Sequence, residues 1–221
     1  MRGWNLTGPT SHDVRSDHGD LIRKHGAAST VLLKNERDAL PLKAPRTIGI
    51  FGNDAGYVTE GPINQEIFEF GTLAIGGGSG AGHFASLMSP LAAIRVRAVE
   101  GGSYVQHWLN NTHIAASDVS RFFAAPPEAC LVFLKSWASE CYDQEHLDLD
   151  WNEAVESVVR EYNTIVVTHT SGINMMPFAD NPNVTAILAA HYPGDQSGNS
   201  LVDVLYGDVD PSARLPYTIC V

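Results

Sequence analysis

Glu140 is the side chain best placed by its neighbours to do chemistry. It sits in Ser136-Trp137-Ala138-Ser139-Glu140-Cys141-Tyr142-Asp143, between two aromatic residues. A carboxyl beside aromatic surface can have its acid form favoured by desolvation, as a general acid requires. Aromatic rings there also suit sugars, whose CH faces stack on them. The plainer alternative is a solvated acidic loop, since Asp143, Glu145, Asp148 and Asp150 follow, and Asp150 or Asn152 can cap the next helix. A second candidate is Gly76-Gly77-Gly78-Ser79-Gly80-Ala81-Gly82. It allows close backbone approach to a ligand, with the Ser79 hydroxyl on offer, or simply a tight turn needing positive φ. Its spacing fails the dinucleotide fingerprint, because Ala81 and His83 stand where a third glycine is needed. No Lys-Ser or Lys-Thr follows for a P-loop, and neither Ser79 nor Ser197 lies in a G-x-S-x-G elbow. The nine histidines are scattered without metal-ligand spacing. Met175-Met176-Pro177-Phe178 reads as packing.

These loops need strands to hold them. Apolar runs at 47–51, 129–134, 165–168 and 184–189 read as buried strands, and 104–109 as another. A segment ending at Ile75 reads as the strand before the glycine loop. Helices are expected over 18–34, 89–98, 152–161 and 195–206. The first has Ser16 or Asp17 as its cap and Leu21, Ala28, Val31 and Leu32 inward. Pro90 fits the first turn of the second. The fourth helix carries Leu201, Val204 and Leu205 as its stripe. Strands with continuous apolar runs, alternating with helices, predict an α/β fold: a mainly parallel sheet sandwiched by helices, flavodoxin-like, in a single domain over 17–221. Residues 1–16 read as a linker arm. Ligands in such a sheet sit at the carboxyl ends of strands, where both candidate loops are expected.

The chain has 221 residues, enough for one α/β domain without a metal or disulfide staple. A net charge of −11 argues against nucleic acid or an anionic membrane as partner. No apolar run approaches the ~20 residues of a membrane span, and the first residues lack the apolar stretch of a signal peptide. Cys130, Cys141 and Cys220 allow at most one internal disulfide and form no C-x-x-C pair. Asn5, Asn110 and Asn183 each begin an N-x-[ST] sequon, which matters only in a secretory pathway.

Four stretches together resemble one known family. They are Asp17-His18 through Ser29-Thr30-Val31-Leu32-Leu33-Lys34-Asn35-Glu36 with Ala39-Leu40-Pro41-Leu42; Gly71-Thr72-Leu73-Ala74-Ile75 into the glycine–serine loop; Ser139-Glu140-Cys141-Tyr142-Asp143; and the run from Asn183-Val184-Thr185 through Pro193-Gly194, Ser197-Gly198-Asn199, Asp203-Val204-Leu205-Tyr206-Gly207 and Arg214-Leu215-Pro216-Tyr217-Thr218. In this order they resemble the carboxyl-terminal α/β-sandwich domain of glycoside hydrolase family 3, fungal β-glucosidases most of all. The resemblance covers about 17–219.

The resemblance implies retaining hydrolysis of β-D-glucosides or cello-oligosaccharides by a secreted, glycosylated protein, with no cofactor. It places the acid/base on Glu140, the glucose-contacting serine on Ser79 and an aromatic of the aglycone side on Tyr142. The family's Asp nucleophile lies on an amino-terminal (β/α)8 barrel of ~250 residues, and 16 residues precede the match here. The chain is therefore expected to carry half of a site, to have negligible activity alone, and to expose an apolar-fringed face that favours self-association. Cys141 stands where the family usually has Gly, and Gly77 where fungal relatives often have Trp. A non-catalytic carbohydrate-binding or remnant domain is the alternative. The failed glycine spacings disfavour a nucleotide binder.

Overall fold

In the computed structural model, residues 14–58, 71–79, 81, 84–141 and 143–219 are described. Five parallel strands and one antiparallel strand form a six-stranded sheet in the order β1-β6-β5-β4-β2-β3. The strands are β1 (Val31–Asn35), β2 (Thr47–Phe51), β3 (Tyr104–Trp108), β4 (Ala129–Ser136), β5 (Thr164–Thr170) and β6 (Val184–Ala189). The helices are α1 (His18–Ser29), α2 (Pro90–Glu100), α3 (Asn111–Ala116), α4 (Asn152–Val159) and α5 (Ser197–Leu205).

Every residue of β4, β5 and β6 is buried, as strands covered on both faces require. Successive side chains alternate between two cores. Leu131, Phe133, Ile165, Val167 and Leu188 pack with α1, α2 and α5. Cys130, Val132, Leu134, Val166 and Ile187 pack with Ile114 of α3 and Ala154, Val155, Val158 and Val159 of α4. Met176 and Phe178 join the second core, as expected of packing residues. Gly198 lets α5 close on α2: a Cβ there would lie 2.2 Å from the Ser89 carbonyl oxygen, at the start of α2. Asp203 of α5, nearly buried, is matched by a two-pronged bond from Arg23 of α1 at 2.7 and 2.5 Å.

The first expected helix is wrong in its second half. Helix α1 stops at Ser29, and 31–35 form β1, which runs antiparallel along β6. Thr30 makes the break: its backbone is extended and its hydroxyl bonds back to the Gly26 carbonyl at 2.9 Å. The inward face also differs. Leu21 and Ala28 are exposed, while Gly26 and Ala27 are buried. Asp17 occupies the cap position of α1 without a side-chain cap bond. Trp151, with a left-handed backbone (φ 69°), holds that position for α4, so neither Asp150 nor Asn152 does. Residues 73–75 are not a strand; Leu73 and Ala74 are buried in a stem anchored by side-chain and loop contacts. Helix α3 was not anticipated; Asn110 caps it by accepting from the His113 N–H at 2.8 Å.

Candidate active site

Parallel strands bring their carboxyl ends to one edge. From β2 the chain runs outward to β3, then returns to the other side of β2 to make β4. Neighbouring connections diverge at β2 and β4, which makes this the topological switch point, where open α/β sheets bind ligands. The glycine loop belongs to the connection leaving β2, and the Glu140 loop leaves β4. The fold therefore brings both candidate loops to one crevice.

Their contact is direct. Glu140 Oε2 accepts the Ser79 N–H at 2.9 Å. The Gly77 N–H reaches the Ala138 carbonyl at 3.4 Å, and the Ala81 N–H closes a turn on the Gly78 carbonyl at 3.0 Å. Gly78 makes the approach possible. Its φ of 114° suits glycine, and a Cβ there would lie 2.9 Å from Glu140 Cβ. The tight turn at positive φ is present at Gly78, and the group that approaches the loop in this structure is the Glu140 carboxylate from the neighbouring loop.

The Glu140 loop is closed at its base. The Asp150 N–H bonds to the Lys135 carbonyl at 3.2 Å, and the Met175 N–H to the Leu147 carbonyl at 2.7 Å. Beneath them, buried Asn174 donates to the Ser136 hydroxyl at 2.9 Å. Trp137 turns toward the glycine loop: a Cβ on Gly77 would meet its ring at 2.7 Å. Trp137 thus fills the space that a side chain at Gly77 would enter. On its other side Trp137 borders a cleft of about 630 Å³ with Asp143, Gln144, His146, Asp148 and Trp151.

The electrostatics of Glu140 differ from the sequence expectation. The side chain is exposed, and the Ser79 N–H, then the Ser79 hydroxyl, hold its carboxyl below the usual carboxylate range. No burial opposes them strongly enough to favour the acid form. Cys141 is exposed too, and its backbone is left-handed at φ 66°, the conformation a glycine would adopt freely. Burial pushes the Cys130 thiol up. Tyr142, Cys220 and Asn5 lie outside the described residues, as do Gly80 and Gly82. Asn110 is exposed, whereas Asn183 is half-buried with its Nδ2 donating to the Val159 carbonyl at 2.7 Å. Sequence reasoning passed over a buried group next to the site, Asp54, His169, Ser197 and Thr72; its members lie far apart in the chain and no spacing signals it.

The chain belongs to glycosyl hydrolase family 3: the family's C-terminal domain matches residues 30–221. It is 62% identical to a probable beta-glucosidase G of Aspergillus flavus, over 99% of this chain and 27% of that protein. It is 39% identical to a probable beta-glucosidase L of Aspergillus terreus, over 96% of this chain and 30% of that protein. Among solved structures, a glycoside hydrolase family 3 beta-glucosidase from Neurospora crassa matches with a TM-score of 0.82 and 40% identity, over 92% of this chain and 26% of that one. A beta-D-glucoside glucohydrolase from Trichoderma reesei matches at a TM-score of 0.82 and 31% identity, over 96% and 31%. The chain thus spans about 27% of the length of the first of these relatives.

Proposed function

We propose that this chain supplies the acid/base half of a retaining β-glucosidase, with Glu140 giving a proton to the leaving oxygen and Ser79 contacting the glucose. The observation that carries the reading is the Ser79–Glu140 contact, 2.9 Å long, at the switch point of the sheet. A retaining mechanism needs a second carboxyl group about 5–5.5 Å away as nucleophile. That group comes from a (β/α)8 barrel docked on the same edge. Tyr57, Leu147, Trp151 and Ile173, all exposed and all in segments that follow the carboxyl ends of strands, fit the apolar fringe of such a docking face. Tyr142 completes the aglycone side, and the substrates are β-glucosides or cello-oligosaccharides. Alone, the chain has negligible activity, and a bare face of this kind favours self-association.

Docking also settles the proton. Glu140 as it stands favours the ionised form, yet the first step needs the acid. Covering it with the partner domain, and placing a nucleophile carboxylate nearby, both push its pKa upward. Secretion belongs to the same reading and is supported by the exposed Asn110 sequon.

The test is Glu140→Ala in an enzyme that joins this chain to its barrel. General acid–base catalysis is worth about 10²–10⁴-fold. The expected loss is of that order on glucosides with poor leaving groups and much smaller on activated aryl glucosides, where azide restores turnover. Equal losses on both, with no effect of azide, would refute the assignment.

A further inference from the structure

Below the glycine loop lies a closed chain of polar side chains. Asp54, in a 3₁₀ turn (Asn53–Ala55) after β2, faces His169 near the end of β5, with Oδ2 to Nδ1 at 2.6 Å. His169 Nε2 faces Ser197 Oγ, the first residue of α5, at 3.4 Å. Ser197 Oγ lies 3.2 Å from Thr72 Oγ1. Asp54 Oδ1 accepts the Leu73 N–H at 2.8 Å. The order of contacts is that of a Ser-His-Asp triad, but Asp54, His169, Ser197 and Thr72 are all at most 2% exposed. No substrate reaches Ser197, so hydrolysis at this serine is not what the group does.

The group reaches instead the stem of the glycine loop, Asp54 at Leu73 and Ser197 at Thr72, with His169 linking the two. With Asp54 as carboxylate and His169 carrying its proton on Nδ1, one direction of donation satisfies all of them. Thr72 donates to Ser197, Ser197 to His169, and His169 to Asp54; Leu73 donates to Asp54 from the backbone. Other bonds hold the same stem: Lys135 Nζ to the Gly71 carbonyl at 2.8 Å, the Thr72 N–H to Gly56 at 2.9 Å, and the Gly194 N–H to the Ala74 carbonyl at 2.9 Å. Between Ala74 and Gly77, itself bonded to Ala138, only residues 75 and 76 intervene. Little slack separates the stem from Ser79.

We infer that Asp54, His169 and Ser197 are positioning residues: they fix the stem at Thr72 and Leu73 and so hold Ser79 against Glu140. The inference rests on the acid/base reading for its bearing on catalysis, but the contact it controls is measurable without turnover.

The experiment follows Glu140 by carboxyl-carbon NMR titration in the 221-residue chain, with Leu73 amide exchange beside it. Asp118 is the internal control, because its carboxyl is held low by Ser120 and Arg121 within its own turn. Asp54→Ala removes the acceptor for Leu73. Its Glu140 midpoint is expected to rise toward the ordinary carboxylate value. Leu73 exchange is expected to speed up roughly tenfold to a hundredfold, the range for a lost bond to a charged acceptor, while Asp118 stays put. Asp54→Asn keeps an oxygen for Leu73 and can donate to His169, reversing the chain of bonds, so its Glu140 midpoint stays low. A folded Asp54→Ala whose Glu140 midpoint is unchanged overturns the inference. If Asp54→Ala does not fold, Ser197→Ala, which deletes one oxygen, decides in its place: a raised midpoint supports the inference and an unchanged one overturns it. Failure of the acid/base reading would show separately, in the leaving-group and azide response of Glu140→Ala, with these titrations intact.

Discussion

Cys141 spends its backbone energy badly, and replacing it measures how much. Its φ of 66° is left-handed, and the side chain is exposed, so little packing offsets the cost. A left-handed residue with a Cβ costs roughly 1–2 kcal/mol. Glycine removes that cost but gives back roughly 0.5–1 kcal/mol through its freer unfolded chain. The difference spans about 0–1.5 kcal/mol, and Cys141→Gly is expected to exceed Cys141→Ala in stability by the middle of it, about 0.5–1 kcal/mol. For a domain of this size that is a melting-temperature difference of roughly 1–4 °C. Alanine is the right reference, since it keeps the Cβ and removes the thiol. The assay is reversible thermal or urea unfolding of the two variants beside the parent, which should lie near the alanine variant. A glycine variant no more stable than the alanine one would refute the claim that the turn after Glu140 is strained. The matter reaches the site because this turn aims Glu140 at Ser79. Relief of strain at Cys141 should leave the low titration of Glu140 in place, since its hydrogen bonds come from Ser79 and not from the turn.

Gly78→Ala is expected to do the reverse, costing about 1–3 kcal/mol for a side chain at positive φ. Its Cβ would press on Glu140 at 2.9 Å, so the Glu140 titration should rise; an unchanged melting curve and titration would show that the approach is not tight. Expression in a secretory host should put a glycan on Asn110 and none on Asn183, read by peptide mass. Asn110 caps α3 with Oδ1, the atom glycosylation leaves alone, whereas Asn183 spends its Nδ2 on Val159; full occupancy at Asn183 would contradict this.

Strands without a charged residue are plain in the sequence. Ala129 to Leu134, Ile165 to Thr168 and Val184 to Ala189 are each too apolar and too short for a surface helix, and all three lie in the sheet. Val31 and Leu32 read as helix from the local pattern, because their positions continue the spacing of α1. What decides it is pairing with β6 some 150 residues on, a contact no local pattern announces. The buried Asp54–His169 pair is hidden for the same reason, its members lying 115 positions apart. Glu140 and Ser79 were legible as chemistry-bearing types in loops, and the family motifs set them side by side. The charge state of Glu140 was not legible. Flanking Trp137 suggested burial, but Trp137 turns toward Gly77 and leaves the carboxyl in water.

The closed base of the Glu140 loop has a consequence for how this domain can diversify. Asp150 to Lys135 and Met175 to Leu147 tie off the segment between them, so the sheet does not depend on what the loop contains. Changes within 143–146, beyond the Ala138 bond to Gly77, are expected to cost little in folding. Glu140 lies just ahead of that segment, pinned by a loop from another strand. An engineer could exchange this stretch as a cassette, keeping Glu140 and its Ser79 tether, and leave the scaffold untouched.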